Sequence, residues 1–256
     1  MKSRVVVTRR VPAVSRAIAI LRLLGKNQSP LGVHAVANAL GLIPSTCLHI
    51  LRVLVSEELA SFDPETKRYG LAAGILSIAG GVLRRRSFSD MAQPTLDEMS
   101  RRWSATAIGV EAAGLEHMVV VAISCADQAL RLRVDIGSRF PALISATGRC
   151  VAAFGQHPQE EVERRFHLLR WDNAPSLRSW REEVEATRIS GYAVDEGRYI
   201  SGVTILAAPV MSSGVTKNAL VLVGVGDQLR RFGYAVIGEA LRVEAAELSE
   251  RLKGVG

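Results

Sequence analysis

Between Leu31 and Leu54 the chain reads LGVHAVANALGLIPSTCLHILRVL, and no other stretch restricts its fold as much. Ala35, Val36, Ala39 and Leu40 recur at helical spacing, Gly41 ends that first helix, and Pro44 opens the next. Two short helices joined by a tight glycine turn make a helix-turn-helix. On the second helix Cys47, Leu51 and Leu54 fall at i, i+4 and i+7 and should face a core, which sends Ser45, Thr46, His49 and Arg52 the other way. That outer face carries donors, acceptors and one fixed cation, a set that suits the base edges of a major groove. An ordinary helical hairpin with a solvated polar face has the same pattern, so the rest of the chain must decide.

Charge is the first discriminator. Over 256 residues the net charge is +7, but residues 1–90 hold 13 Lys/Arg against 5 Asp/Glu, a net +8, and residues 91–256 hold 19 against 20, a net −1. A basic head on a near-neutral body fits a polyanion-binding unit with a separate partner domain. The three cysteines, Cys47, Cys125 and Cys150, form no CxxC pair, so neither a zinc site nor a disulfide framework is expected. MKSRVVVTRRVP has too few consecutive apolar residues for a signal peptide, and no apolar run approaches bilayer length, so the expected setting is cytoplasmic, with no membrane partner.

In chain order, residues 1–12 read as a basic arm whose Arg9 and Arg10 attract phosphates. Val14, Ala17, Ile18, Leu21 and Leu24 share one face of a first helix, expected to pack beneath the helix-turn-helix. After the second helix of that motif come LASF, DPETK and RYGL, two short β-prone runs around a turn. A hairpin in that place is a wing, and Lys67 and Arg68 supply backbone contacts, so residues 13–72 form one winged domain. Residues 73–88 make a linker helix softened by Gly80-Gly81, with Ile75, Ile78, Ala79 and Val82 as a pairing face. Ser87-Phe88-Ser89-Asp90 has capping-box spacing, and the helix it opens reaches about Trp103 with a kink near Pro94.

From Thr106 the period changes, and residues 89–256 read as a second domain. TAIGVEAAG, EHMVVVAIS and ALRLRVDIG form an antiparallel meander. Helices follow from Ser145 to Phe154, from Pro158 to about Trp171, and from a Ser176 cap to Gly191. The strands YAVDE, GVTILAAPVM and ALVLVGVG come next, and a long amphipathic helix over Gln228–Lys253 closes the chain. Strands, helices, strands and helix make an α+β fold. Ser145 is expected to cap the helix SATGR, so that the free N–H groups around Ala146, Thr147 and Gly148 hold a carboxylate, with Gly148 allowing close approach.

The order of these pieces resembles the isocitrate lyase regulator (IclR) family of bacterial transcription factors. The resemblance runs over about residues 12–253 and rests on VPAVSRAIAILRLL at 11–24, PLGVHAVANALGLIPSTCLHILRVL at 30–54, RYGLAAGIL at 68–76, PALISATGRCVAAF at 141–154 and GYAVDEGRYISGVTILAAPV at 191–210. It implies an N-terminal winged helix-turn-helix, a linker helix and a C-terminal GAF-like effector domain, in dimers that pair into tetramers on palindromic operators of double-stranded DNA. It also implies a small-molecule pocket opposite Ser145, walled by Asp195, Val203, Ile205, Val223 and Val225 with Phe140 as a lid. Many members carry a basic residue at the position of His49, a polar one at Leu48, a histidine at Leu143 and some a cysteine at Ile205. The last two differences make this pocket more apolar, and a small organic acid with an aromatic or branched body is the expected effector, with a neutral hydrophobe as the alternative.

Other classes were weighed on the residues. Gly224-Val225-Gly226 follows a strand but lacks the third glycine of a dinucleotide loop. There is no GxSxG, no P-loop, and no metal-ligand spacing among His34, His49, His117, His157 and His167, so neither cofactor nor metal is expected. An enzyme with a fused DNA-binding head and an effector-independent architectural DNA binder are the alternatives to a ligand-controlled regulator. Turnover of a ligand would favour the first, and operator binding indifferent to every ligand the second.

Overall fold

The computed structural model describes residues 11–27, 29–83, 88–125, 134–212 and 215–253, and divides the chain into two compact units, Met1–Arg85 and Arg86–Gly256. Arg9 and Arg10 of the basic arm lie outside the described residues, as do Ser87 and most of the run ALRLRVDIG.

The first unit comprises α1 (Pro12–Lys26), β1 (Leu31–Gly32), α2 (Val33–Leu40), α3 (Pro44–Ser56), β2 (Ala60–Asp63), β3 (Arg68–Leu71) and α4 (Gly74–Leu83). Pro12 and Pro44 stand at helix starts, where a missing N–H costs nothing. Gly41 takes a left-handed φ of 62° at the end of α2, and its amide and that of Leu42 close the turn onto Asn38 and Ala37. Ile20, Val36, Cys47, Leu51 and Leu54 are buried in one cluster. The packing face of α1 differs from the expected one: Ile20 and Leu24 are the buried residues, while Val14 is 56% and Ile18 41% exposed. The face is rotated because Ile20, absent from the expected stripe, takes the deepest position.

β1 was not legible as a strand. It pairs antiparallel with β3, Leu31 opposite Tyr69, giving a three-stranded sheet in the order β1-β3-β2.

The second unit carries α5 (Phe88–Trp103), β4 (Thr106–Ala113), β5 (His117–Cys125), β6 (Arg139–Pro141), α6 (Ser145–Phe154), α7 (Gln159–Phe166), α8 (Leu177–Ser190), β7 (Ala193–Glu196), β8 (Val203–Ser212), β9 (Val215–Val225), α9 (Gly226–Phe232) and α10 (Tyr234–Lys253). Its strands form one antiparallel sheet in the order β6-β5-β4-β9-β8-β7. Alternation along β8 and β9 divides the core: Ile205, Ala207, Val221 and Val223 join the cluster under α6 and α8, while Leu206, Ala208, Leu220 and Leu222 join the one under α5 and α10. These runs are apolar without a break because both faces of the sheet are covered.

Three expectations about elements need correction. The third meander strand pairs at Arg139–Pro141 rather than ending at Gly137, and the helix after Pro158 stops at Phe166. The closing helix is two, because Gly233 adopts φ 83° between α9 and α10. Ser176 does cap α8, accepting the Ser179 amide at 3.1 Å, and Gly191 ends it at φ 77°.

Candidate functional site

On α3, burial of Cys47, Leu51 and Leu54 leaves Ser45, His49 and Arg52 exposed and Thr46 half-buried. Leu48 is half-buried and packs on the core cluster. In the wing, the Asp63 carboxylate accepts the Glu65 amide at 2.9 Å and the Thr66 hydroxyl at 2.6 Å, and both hold its pKa below the usual carboxylate range. This ties the turn between β2 and β3, and Lys67 leaves it in a left-handed conformation, φ 56°. Arg68, at the start of β3, donates to the Pro30 carbonyl at 3.4 Å. Exposed donors, an exposed cation and a pinned hairpin thus sit on one small unit.

The second unit holds a cavity of about 60 Å³ between the sheet and the N-terminus of α6. Ile108, Val110, Met118, Ile205, Val221 and Val223 form its floor, Phe140 and Ile144 one side, and Tyr199 and Ile200 the loop that covers it. The only hydroxyls among the lining residues are those of Ser145, Thr147 and Tyr199. Ser145 and Thr147 are each 4% exposed, and neither hydroxyl has a hydrogen-bond partner among the described residues. Burial, and secondarily the charge of Asp172, push the Tyr199 phenol above its ordinary pKa.

Of the residues expected here, the structure brings Phe140, Ser145, Thr147, Ile205 and Val223 to the cavity. Ala146 and Gly148 are buried in α6 without lining it, and Val203 and Val225 pair with each other across β8 and β9 outside it. Ser145 is not a cap: Ile144 holds the N-cap position with no side-chain bond, and Ser145 is the first helical residue, at φ 57°. A non-glycine residue there is strained by about 1–3 kcal/mol. The Gly148 amide is already bonded to the Ile144 carbonyl at 2.8 Å, which leaves those of Ser145, Ala146 and Thr147 without a backbone partner among the described residues.

Asp195 departs furthest from expectation. It is fully buried; one oxygen accepts the Arg198 and Tyr199 amides, each at 3.1 Å, and the other accepts Nη1 of Arg149 at 3.1 Å. Arg149 is also fully buried, and its Nε donates to Glu183 at 2.6 Å; its Nη2 faces the same Glu183 oxygen without hydrogen-bond alignment. Sequence reasoning missed Arg149, Tyr199 and Ile200. The glycines bracketing the last two, Gly197 at φ 67° and Gly202 at φ 79°, were the available signal.

The profile of the IclR helix-turn-helix domain matches residues 13–64, and that of the bacterial transcriptional regulator IclR C-terminal domain matches residues 80–250. The chain belongs to the IclR family. As an IclR-family protein it is a DNA-binding transcriptional regulator. Among curated IclR relatives, the glycerol operon regulatory protein of Streptomyces griseus is 28% identical over 203 residues, 79% of this chain and 80% of that one. An IclR regulator from Alicyclobacillus acidocaldarius shares the fold with a TM-score of 0.77 at 24% identity, covering 95% of this chain and 99% of the other. An IclR homologue from Microbacterium hydrocarbonoxydans, solved with 4-hydroxybenzoate, has a TM-score of 0.76 at 17% identity, covering 94% and 99%. Among the described residues no single helix is long and apolar enough to cross a membrane, and no group of His, Cys, Asp or Glu could hold a metal ion.

Proposed function

We propose that this regulator reads a palindromic operator in the cytoplasm through α3 and its wing, and that a small organic acid bound in the cavity changes that reading. The observation that carries the effector half is the pair of hydroxyls, Ser145 and Thr147, that line the cavity with no hydrogen-bond partner among the described residues, at the head of α6 in an otherwise apolar chamber. Two hydroxyls can donate to an acceptor in the cavity, and a helix N-terminus favours negative charge, so a carboxylate suits both. The aliphatic floor and Phe140 take the apolar part. The 4-hydroxybenzoate on the Microbacterium relative has this character, one acid end on an apolar body. About 60 Å³ is well below the roughly 150 Å³ of a cavity that holds benzene, so a ring, or a branched acid of similar size, requires the covering loop to move.

Base contacts are assigned to Ser45, Thr46, His49 and Arg52, and phosphate contacts to Lys67, Arg68, Arg9 and Arg10. One such head reads too few bases for a genomic address, so a dimer, or two dimers, should present heads one helical turn apart or a multiple of it. Val11, Val14, Ile18, Leu76 and Ile78, all exposed, support a pairing surface on α1 and α4; the side chain of Val82 is outside the described residues. Light scattering at micromolar concentration should give at least a dimer.

Calorimetry of carboxylates against their amides tests the acid. Acids should bind and amides fail, on the parent but not on Thr147→Trp, whose indole fills the chamber. Equal binding of acids and amides would remove the anion site.

A further inference from the structure

Four charged side chains from four elements close a ring behind the cavity. Asp195, in β7, accepts Nη1 of Arg149, in α6; Arg149 donates to Glu183, in α8; Glu183 takes the Arg198 guanidinium at 2.8 Å; and the Arg198 amide returns to Asp195. The last corner is the loop between β7 and β8, and the next residues on it are Tyr199 and Ile200, the cover of the cavity. The same loop is held from outside by the Asn173 amide and carboxamide, by the Asp172 amide, and by the Asp172 carboxylate, which accepts Ser201 N–H at 2.8 Å. Left-handed glycines at 197 and 202 bound it on both sides.

The arrangement is costly for packing alone. Removing two opposite charges from water is repaid only with good geometry, and an apolar pair of similar volume often serves stability as well. An apolar pair would leave the Arg198 and Tyr199 amides without an acceptor.

We propose that Asp195, held in place by Arg149, is a positioning residue that fixes the Tyr199–Ile200 wall over the head of α6 and so sets the size of the chamber. This rests on the cavity being the effector site, and it replaces the expected role of Asp195 as a ligand contact. Arg149 leaves α6 about one turn after Ser145 and two residues after Thr147, so the helix that meets a ligand and the loop that covers it share one buried ion pair. A ligand too large for the chamber must therefore strain that pair.

The test needs no ligand, so its failure is separable from failure of the carboxylate reading. Ultraviolet difference titration of the parent against Tyr199→Phe isolates the Tyr199 phenol, and amide hydrogen exchange follows Arg198 and Tyr199. In Asp195→Asn the phenol should ionise closer to an ordinary tyrosine, and the two amides should exchange at least tenfold faster while the β8–β9 ladder keeps its protection. The double variant Arg149→Met with Asp195→Leu restores apolar packing without an acceptor. It should melt no lower than Asp195→Asn yet leave Tyr199 released. A phenol that still titrates as in the parent, with unchanged amide exchange, in whichever of these variants folds, overturns the proposal.

Discussion

The head of α6 is packed so closely that a Cβ on Gly148 would lie 2.0 Å from the carbonyl carbon of Leu143. The conflict is with backbone, which cannot rotate away, so the glycine serves the junction between chain and helix and not ligand approach. Gly148→Ala should destabilise by at least about 1–3 kcal/mol, the ordinary cost of overpacking, in denaturant titration. A parent-like midpoint would show that the helix start shifts freely.

Ser145, three residues earlier, holds a strained backbone and an unpartnered hydroxyl at once. Ser145→Gly relieves about 1–3 kcal/mol of strain against roughly 1 kcal/mol of glycine flexibility, so it should melt at or above the parent temperature. It should also lose part of any carboxylate response. A marked fall in melting temperature would mean that the hydroxyl supports the turn.

The thiols differ sharply. Cys150 is fully buried, and desolvation pushes its pKa up to about 12; Cys47 is buried and raised by the same cause; Cys125 is exposed. At pH 8 a thiol reagent should modify Cys125 quickly and the other two only on unfolding. In linkage terms, the folded state retains the Cys150 proton longer than the unfolded chain. Its contribution is complete below pH 9 and declines as pH rises to about 12, so denaturation midpoints should fall across that window, and Cys150→Ala should flatten the fall.

Arg52 and Lys67 should separate two kinds of DNA contact. Arg52→Ala should cost about 1–3 kcal/mol on the operator and little on random DNA, if it meets a base edge. Lys67→Ala, Arg9→Ala or Arg10→Ala should weaken all DNA alike and flatten the dependence on salt. Footprints unchanged by Arg52→Ala and Thr46→Ala together would place the reading surface elsewhere.

Where local signals agreed, the chain was readable: Gly41 and Pro44 bracket a turn whose neighbours carry helical spacing, and Ser176 and Gly191 mark both ends of α8. Where tertiary context decides, it was not. Val14 and Ile18 fit the helical stripe of α1, yet Ile20 takes the deep position, in one cluster with Val36, Cys47, Leu51 and Tyr69 from the other elements of the unit. Gly233 falls inside the single helix expected over Gln228–Lys253 but adopts a conformation that ends one. At the candidate site the apolar floor was legible only through the family resemblance, which implied Ile205 and Val223, because strands covered on both faces show no polar alternation. Tyr199 and Ile200 were not, since a loop has no period, and the partner of Asp195 lies 46 residues away on α6.

The two-residue strand Leu31–Gly32 ends where α2 begins and pairs with the inner strand of the hairpin. The turn end of the hairpin, at Arg68 and Tyr69, is therefore tied to the strand that leads into α2. A wing tied in this way should hold its spacing from α3 and adjust little to a groove of the wrong width. Its tolerance for DNA shape has to come from the duplex, and operators whose minor groove or roll departs from the fitted gap should be rejected even when every contacted base is correct.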